Sequence, residues 1–220
     1  MRGMILKDFY LLKEMKKVLM LFLLFSFVML AVSKPGEGEN FVLGYINIMA
    51  VSLGLNVFAY DDYNNGRMFL MTLPVTRREY VREKYVFSMM CSVAGWFFTV
   101  IATIISLNVK GKMVLNEWIP IYAVFLFIGI LTIALTQPFM IKYGPEKGRT
   151  AMILFLIIIF VGIVGGAKYL EITGKGLEKF IYPVIKMGVA PLIGIASAVV
   201  LVILCISYNL SVRLMEEKEF

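Results

Sequence analysis

Residues 85–107, YVFSMMCSVAGWFFTVIATIISL, run for 23 residues without a charged side chain. A helix needs about 20 apolar residues to cross the hydrocarbon core of a bilayer, and this run is long enough. Five more charge-free segments accompany it: Val18 to Ser33, Phe41 to Tyr60, Trp118 to Ile141, Thr150 to Ala167 and Met187 to Val212. A membrane-spanning barrel would alternate apolar and polar residues over stretches of about ten. Runs such as 151–166, AMILFLIIIFVGIVGG, have no such period. The chain is therefore expected to be all-α, a polytopic membrane protein of six transmembrane helices.

Composition points the same way. Of the 220 residues 60% are hydrophobic and only 17% charged, and the mean hydropathy is +0.84, far from the balance of a soluble domain. The gaps between segments are too short for a second folded unit, so 1–220 is expected to form a single transmembrane domain. Val18 to Ser33 is the short segment; it sits shallowly or borrows length from preceding residues whose lysines snorkel. The basic start, the apolar run and the AVS at 31–33 imitate a signal peptide. The leading region is long and carries Asp8 and Glu14, which favours an uncleaved first helix.

Lys and Arg set the expected orientation. Fifteen of the 22 lie in the N-terminal segment, the loop after helix 2, the loop after helix 4 and the C-terminal tail. By the positive-inside rule both termini are cytoplasmic, and the net charge of +7 is accounted for by topology and contact with anionic lipid, with no call on nucleic acid. Cys91 and Cys205 both fall within apolar segments and read as packing residues rather than a disulfide or a metal site.

On a helix, residues 1–17 place Met4, Ile5, Phe9, Leu11, Leu12 and Met15 over about half the circumference, with Lys7, Lys13, Glu14 and Lys17 opposite. Asp8 and Lys16 interrupt the apolar arc. The expectation is an interfacial helix on the cytoplasmic leaflet, against a frayed basic tail. KPGEGEN, residues 34–40, is a tight outer turn, and Trp118 and Tyr122 are placed as interfacial anchors. The stretch 168–186 is a longer extracellular loop with Leu177, Phe180 and Ile181 at helical spacing. Gly162 and Gly166, then Ala190, Gly194 and Ala198, put small residues four apart on helices 5 and 6, as a packing seam within the chain or a dimer face. Pro138 and Pro191 are expected kinks.

Several chemistries are missing. The chain has no histidine, which removes the commonest general base and metal ligand. GPEKGRT at 144–150 fails as a nucleotide-phosphate loop, with glycines four apart and Arg in place of the lysine. Asp61 and Asp62 are adjacent at a helix end rather than opposed in the bilayer. None of the six segments holds a charge, which disfavours an ion-coupled carrier. No catalytic, cofactor or metal residues are expected, and the chain is not read as an enzyme.

One charged stretch stands out, TLPVTRREYVREKY at 72–85. Asn65-Gly66 marks a turn and Pro74 breaks the helix before it. Thr76 is placed as an N-cap, with Glu79 completing a capping box. Arg77, Tyr80, Val81 and Lys84 then share one face of the following helix, and Arg78, Arg82 and Tyr85 another. These features alone fit a capped basic loop as well as a docking element.

Asp61, Asp62, Leu73, Pro74, Thr76, Arg77, Arg78, Val81, Lys84 and Tyr85 together resemble the short permeases of bacterial ABC-type exporters, in particular the small six-helix family that includes the phenol-soluble-modulin toxin exporters. The motif covers about 25 residues, and the six-helix frame with its amphipathic start extends the likeness over the chain. The resemblance implies a permease subunit in the bacterial cell membrane. A short cytoplasmic coupling helix between helices 2 and 3, within 61–84, would then sit in a groove of a separate ATP-binding subunit that carries ATP and Mg. It implies Asp62, Leu73, Pro74, Thr76, Arg77, Arg78, Tyr80, Val81 and Lys84 as the partner interface, a second permease subunit, identical or not, and peptides or peptide toxins as substrates. KYGPEKGR, residues 142–149, is a second, minor contact or an ordinary basic turn. The competing expectation is a scaffold or immunity-type membrane protein that binds a cytoplasmic partner through the same loop and transports nothing.

Overall fold

The computed structural model describes residues 2–62, 66–72, 74–111, 115–150, 153, 154, 157, 161 and 188–218. Among them there is no strand. The chain opens with α1 (Arg2–Glu14), which meets α2 (Lys16–Val32) at Met15 in a bend of 62°. Then come α3 (Glu37–Asp62), α4 (Gly66–Thr72), α5 (Arg77–Val109), α6 (Leu115–Tyr143) and α7 (Val189–Glu216). Gly144 follows α6 at φ +82° and its N–H donates to the Met140 carbonyl at 3.0 Å. A left-handed residue is the ordinary way to end a helix, and glycine carries no Cβ penalty there. Residues 145–150 are again helical.

Four helices are long and apolar enough to cross a membrane, those at Glu37–Asp61, Arg77–Val109, Asn116–Tyr143 and Val189–Glu216, and the bent α1–α2 pair makes a fifth if counted as one span. The 17 residues of α2 rise about 26 Å against a hydrocarbon core of about 30 Å, in line with the short first segment read from sequence. The expected fifth segment, Thr150 to Ala167, falls mostly outside the described residues, as do Gly162, Gly166 and the whole 168–186 loop.

The largest interfaces are α3 against α5 and α6 against α7. One apolar cluster, including Val51, Phe58, Tyr80, Tyr85, Met140 and Met215, fills the end of the bundle nearest α1. A second, Leu43, Leu107, Trp118 and Tyr122, fills the opposite end. Between them the helices approach through single glycines. A Cβ at Gly54 would lie 2.9 Å from the Ser88 Cα, one at Gly95 would overlap the Ala50 Cβ, and one at Gly129 would strike Asn47 Oδ1 and stand 2.6 Å from Ser92 Oγ. Of the small residues expected to form a seam or a dimer face, those of the last helix alone are described. Ala190, Gly194 and Ala198 are exposed, and no described atom lies within 4 Å of where a Gly194 Cβ would be. That stripe of α7 does not pack against the described part of its own chain.

The helix that the Thr76 cap was read to start at Arg77 runs on into the span that follows, and α5 is unbroken for 33 residues. At about 1.5 Å per residue it spans about 50 Å, so it projects well beyond the hydrocarbon core. The short separate helix is α4, which stops before Pro74.

Candidate functional site

The start of α5 is locally determined. Thr76 is extended, at φ −77° and ψ 149°, and its hydroxyl accepts from the Glu79 N–H at 3.2 Å. Glu79 Oε2 accepts from the Thr76 N–H at 3.1 Å in return. The reciprocal pair satisfies two donors that a helix start would otherwise leave open.

The first turns of α5 then divide into two faces. Pro74, Thr76, Arg78 and Arg82 are exposed. Arg77 is half-buried and turned along the bundle, where its Nη1 donates to the Glu216 carbonyl and, at 3.4 Å, to that of Met215. A guanidinium on the last carbonyls of α7 satisfies acceptors and complements the negative end of that helix. On the inner face Tyr80, Val81, Lys84 and Tyr85 are buried. Tyr80, Val81 and Lys84 therefore offer no surface to a partner, contrary to their expected place in an interface. Asp62 ends α3, with its side chain outside the described atoms, and Leu73 is likewise outside.

Lys84 instead sits in a buried ion cluster. Its Nζ lies 2.6 Å from Asp8 Oδ2, 2.7 Å from Asp61 Oδ2 and 3.3 Å from Glu83 Oε2, and 5.5 Å from the centre of the Tyr80 ring. Lys7 reaches the same group, pairing with Asp61 and, at 3.3 Å, with Asp8. Tyr80 donates its hydroxyl proton to Asp61 Oδ2 at 3.2 Å. Asp8 belongs to α1, Asp61 to α3 and Lys84 to α5, so one ammonium ties three helices. Such a charge is tolerable away from water only because carboxylates surround it.

Neighbouring bonds extend the junction to the other helices. Gln137 of α6 donates through Nε2 to the Lys84 carbonyl at 3.0 Å and to Ser88 Oγ at 2.9 Å. The Tyr85 hydroxyl is 2.6 Å from Ser207 Oγ and 2.8 Å from Ser211 Oγ, both on α7. The inner face of a few turns thus contacts α1, α3, α6 and α7. Sequence reasoning missed Asp8, Asp61 and Glu83 as partners of Lys84, and Lys7 as the second cation on Asp8 and Asp61. The available signal was Asp8, the carboxylate that broke an otherwise apolar arc. Among the described residues, no group of three or more Cys, Asp or Glu side chains is placed to hold a metal ion.

The model of the ABC-2 family of transporter proteins matches residues 3–216, nearly the entire chain. The chain belongs to the ABC-2 transporter family. No curated protein and no solved structure matches it. As an ABC-2 transporter protein with several apolar spans, it is a multi-pass membrane protein of the permease kind, and it implies an ATP-binding partner. In this ABC-2 protein the exposed rim Pro74, Thr76 and Arg78 lies at the start of α5, next to turns whose inner face is bonded to four other helices.

Proposed function

We propose that this chain is the permease subunit of an ATP-driven exporter, and that it receives the motion of its ATPase at the segment formed by α4, Pro74 and the first turn of α5. The observation that carries the reading is the two-sided construction of that turn. Its outer side is open to a partner, and its inner side is fixed to α1, α3, α6 and α7 through Lys84, Tyr85 and Arg77. A displacement applied to the first turn of α5 passes into the membrane helices as a rigid-body shift, because that turn and the next are bonded to them.

The contact surface in this reading is narrower than the sequence motif: Pro74, Thr76 and Arg78, with Met68 and Phe69 of α4. The last two are 47% and 66% exposed, large apolar groups on a helix too short to span, as suits a knob that enters a groove. Asp62 and Leu73 flank it in sequence. The α1 end of the bundle is cytoplasmic in this reading, with both termini on that side. ATP and Mg belong to the partner, peptides or peptide toxins are the cargo, and the exposed small-residue stripe of α7 faces a second permease subunit.

Co-expression with the ATPase tests it. Pro74→Ala combined with Arg78→Glu should leave membrane insertion intact and abolish co-purification of the ATPase or its stimulation by the permease. Unchanged co-purification together with unchanged stimulation would refute the coupling role.

A further inference from the structure

We propose that the cleft beneath the α1–α2 elbow binds a membrane phospholipid with an anionic headgroup. The cleft encloses about 380 Å³ where the bent pair bridges α3 and α5. Its walls include Phe9 of α1, Phe22 and Leu23 of α2, Leu53 of α3, and Met90 and Phe98 of α5. None of the described residues that line it is charged. Phe9, Leu23, Met90 and Phe98 are 41–48% exposed, so the cleft opens sideways between two apolar helices, α2 and α5. Atoms that line an unfilled gap forfeit dispersion contacts, and an acyl chain is the filler available at that depth.

The cleft is not apolar throughout. Phe22, Met49 and Leu53 also border an adjoining space of about 440 Å³ whose rim is polar, with Ser52, Asn56, Tyr60 and Glu14. Arg149, from the segment after α6, donates to Asn56 Oδ1 at this rim. Lys13, Lys16 and Lys17 are exposed on either side of the bend at Met15. Arg149 and Glu14 thus stand at the rim of an apolar slot, and three exposed lysines lie within three residues of Glu14 along the elbow. That arrangement fits a hydrocarbon tail with a negative head, and it favours an anionic phospholipid over a zwitterionic one. Each basic residue near an anionic lipid surface is worth about fivefold in binding.

Native mass spectrometry of the full-length protein, exchanged into detergent with equal phosphatidylglycerol and phosphatidylcholine, tests the site. The wild type should retain phosphatidylglycerol preferentially. Ala94, exposed and on the cleft wall, allows the slot to be filled, and Ala94→Phe should lower that retention about tenfold or more. Lys16→Gln, Lys17→Gln and Arg149→Gln together should bring the two lipids to near parity. Equal retention of both lipids by the wild type, or wild-type retention by Ala94→Phe, would overturn the proposal. A second measurement on the unaltered protein is independent of whether the variant folds. Phosphatidylglycerol with a photoreactive group on its acyl chain should crosslink to α2 and to residues 90–98. Crosslinks spread evenly over exposed α7 would overturn the proposal as well.

Discussion

Replacing Lys84 with Met keeps most of the volume and the unbranched shape of the side chain while deleting its charge. It strands carboxylates placed 2.6 Å (Asp8), 2.7 Å (Asp61) and 3.3 Å (Glu83) from the missing ammonium. Asp61 keeps Lys7 and the Tyr80 hydroxyl, and Asp8 keeps Lys7 at 3.3 Å. Glu83 loses its ion pair with Lys84, and neither of its oxygens has a hydrogen bond among the described residues. Removing one member of a buried ion pair costs about 3–5 kcal/mol, most of it the cost of the charge left behind. Lys84→Met should therefore lower the unfolding free energy by about that amount in a denaturant titration in mixed micelles. Asp8→Asn in the same background removes one stranded charge, so the double variant should be more stable than the sum of the single effects requires, by about 0.5–3 kcal/mol. A loss below about 1 kcal/mol for Lys84→Met, or strict additivity with Asp8→Asn, would refute the account of the cluster.

Two further substitutions probe the rest of the bundle by the same titration. Gly129→Ala would drive a methyl group into Asn47 and Ser92, and Asn47 is itself held by its Nδ2 donation to the Phe125 carbonyl at 2.5 Å. Overpacking of this kind costs about 1–3 kcal/mol, Asn47→Ala should recover part of it, and wild-type stability of Gly129→Ala would show that α3 and α6 are not in close contact there. Glu39→Gln should cost about 1.5 kcal/mol, the low end for bonds to a charged group, because it weakens bonds of 2.8–2.9 Å to Lys110, Ser106 and the Gly36 N–H while Lys110 stays partly solvated. No loss would mean that Lys110 is equally well satisfied by water.

What was legible in the sequence was local or periodic. The Thr76–Glu79 box formed as read, because it depends on four consecutive residues and a Pro that stops the preceding helix. Five of the six apolar runs coincide with described helices, four of them long and apolar enough to span alone, because run length is a local property of the sequence. The partner of Lys84 was not legible, since Asp8 lies 76 positions away and is brought there by the docking of α1. Tyr80, Val81 and Lys84 were placed at a partner surface by the family resemblance, which carries a motif but not the face of α5 on which each residue falls, and that face is buried. The glycine contacts escaped for a related reason. Spacing within one helix does not reveal them, because close approach needs one glycine opposite a small or backbone group on another helix, as Gly54 meets Ser88 and Gly95 meets Ala50.

The paired ends of α3 and α5 bear on how the proposed permease moves. At the α1 end, Lys84 of α5 holds Asp61 of α3 at 2.7 Å. At the other end Lys110, which caps α5, holds Glu39 in the first turn of α3 at 2.9 Å. Each clamp joins a lysine of one helix to a buried carboxylate of the other, and between them the backbones close at Gly54 and Gly95 with no long side chain to act as a spacer. Sliding the two helices past each other would break ion pairs at both ends and force Ser88 and Ala50 off their glycines. Packed interfaces of this kind shift between discrete arrangements rather than deforming continuously. In the proposed coupling, a push at Pro74–Arg78 would carry α3 and α5 as one body, and α1 with them through Asp8. The contacts of α6 and α7 with that pair include hydrogen bonds of Gln137, Ser207 and Ser211 and the Arg77 guanidinium on the last carbonyls of α7, so these helices are tied to the same body at its α1 end.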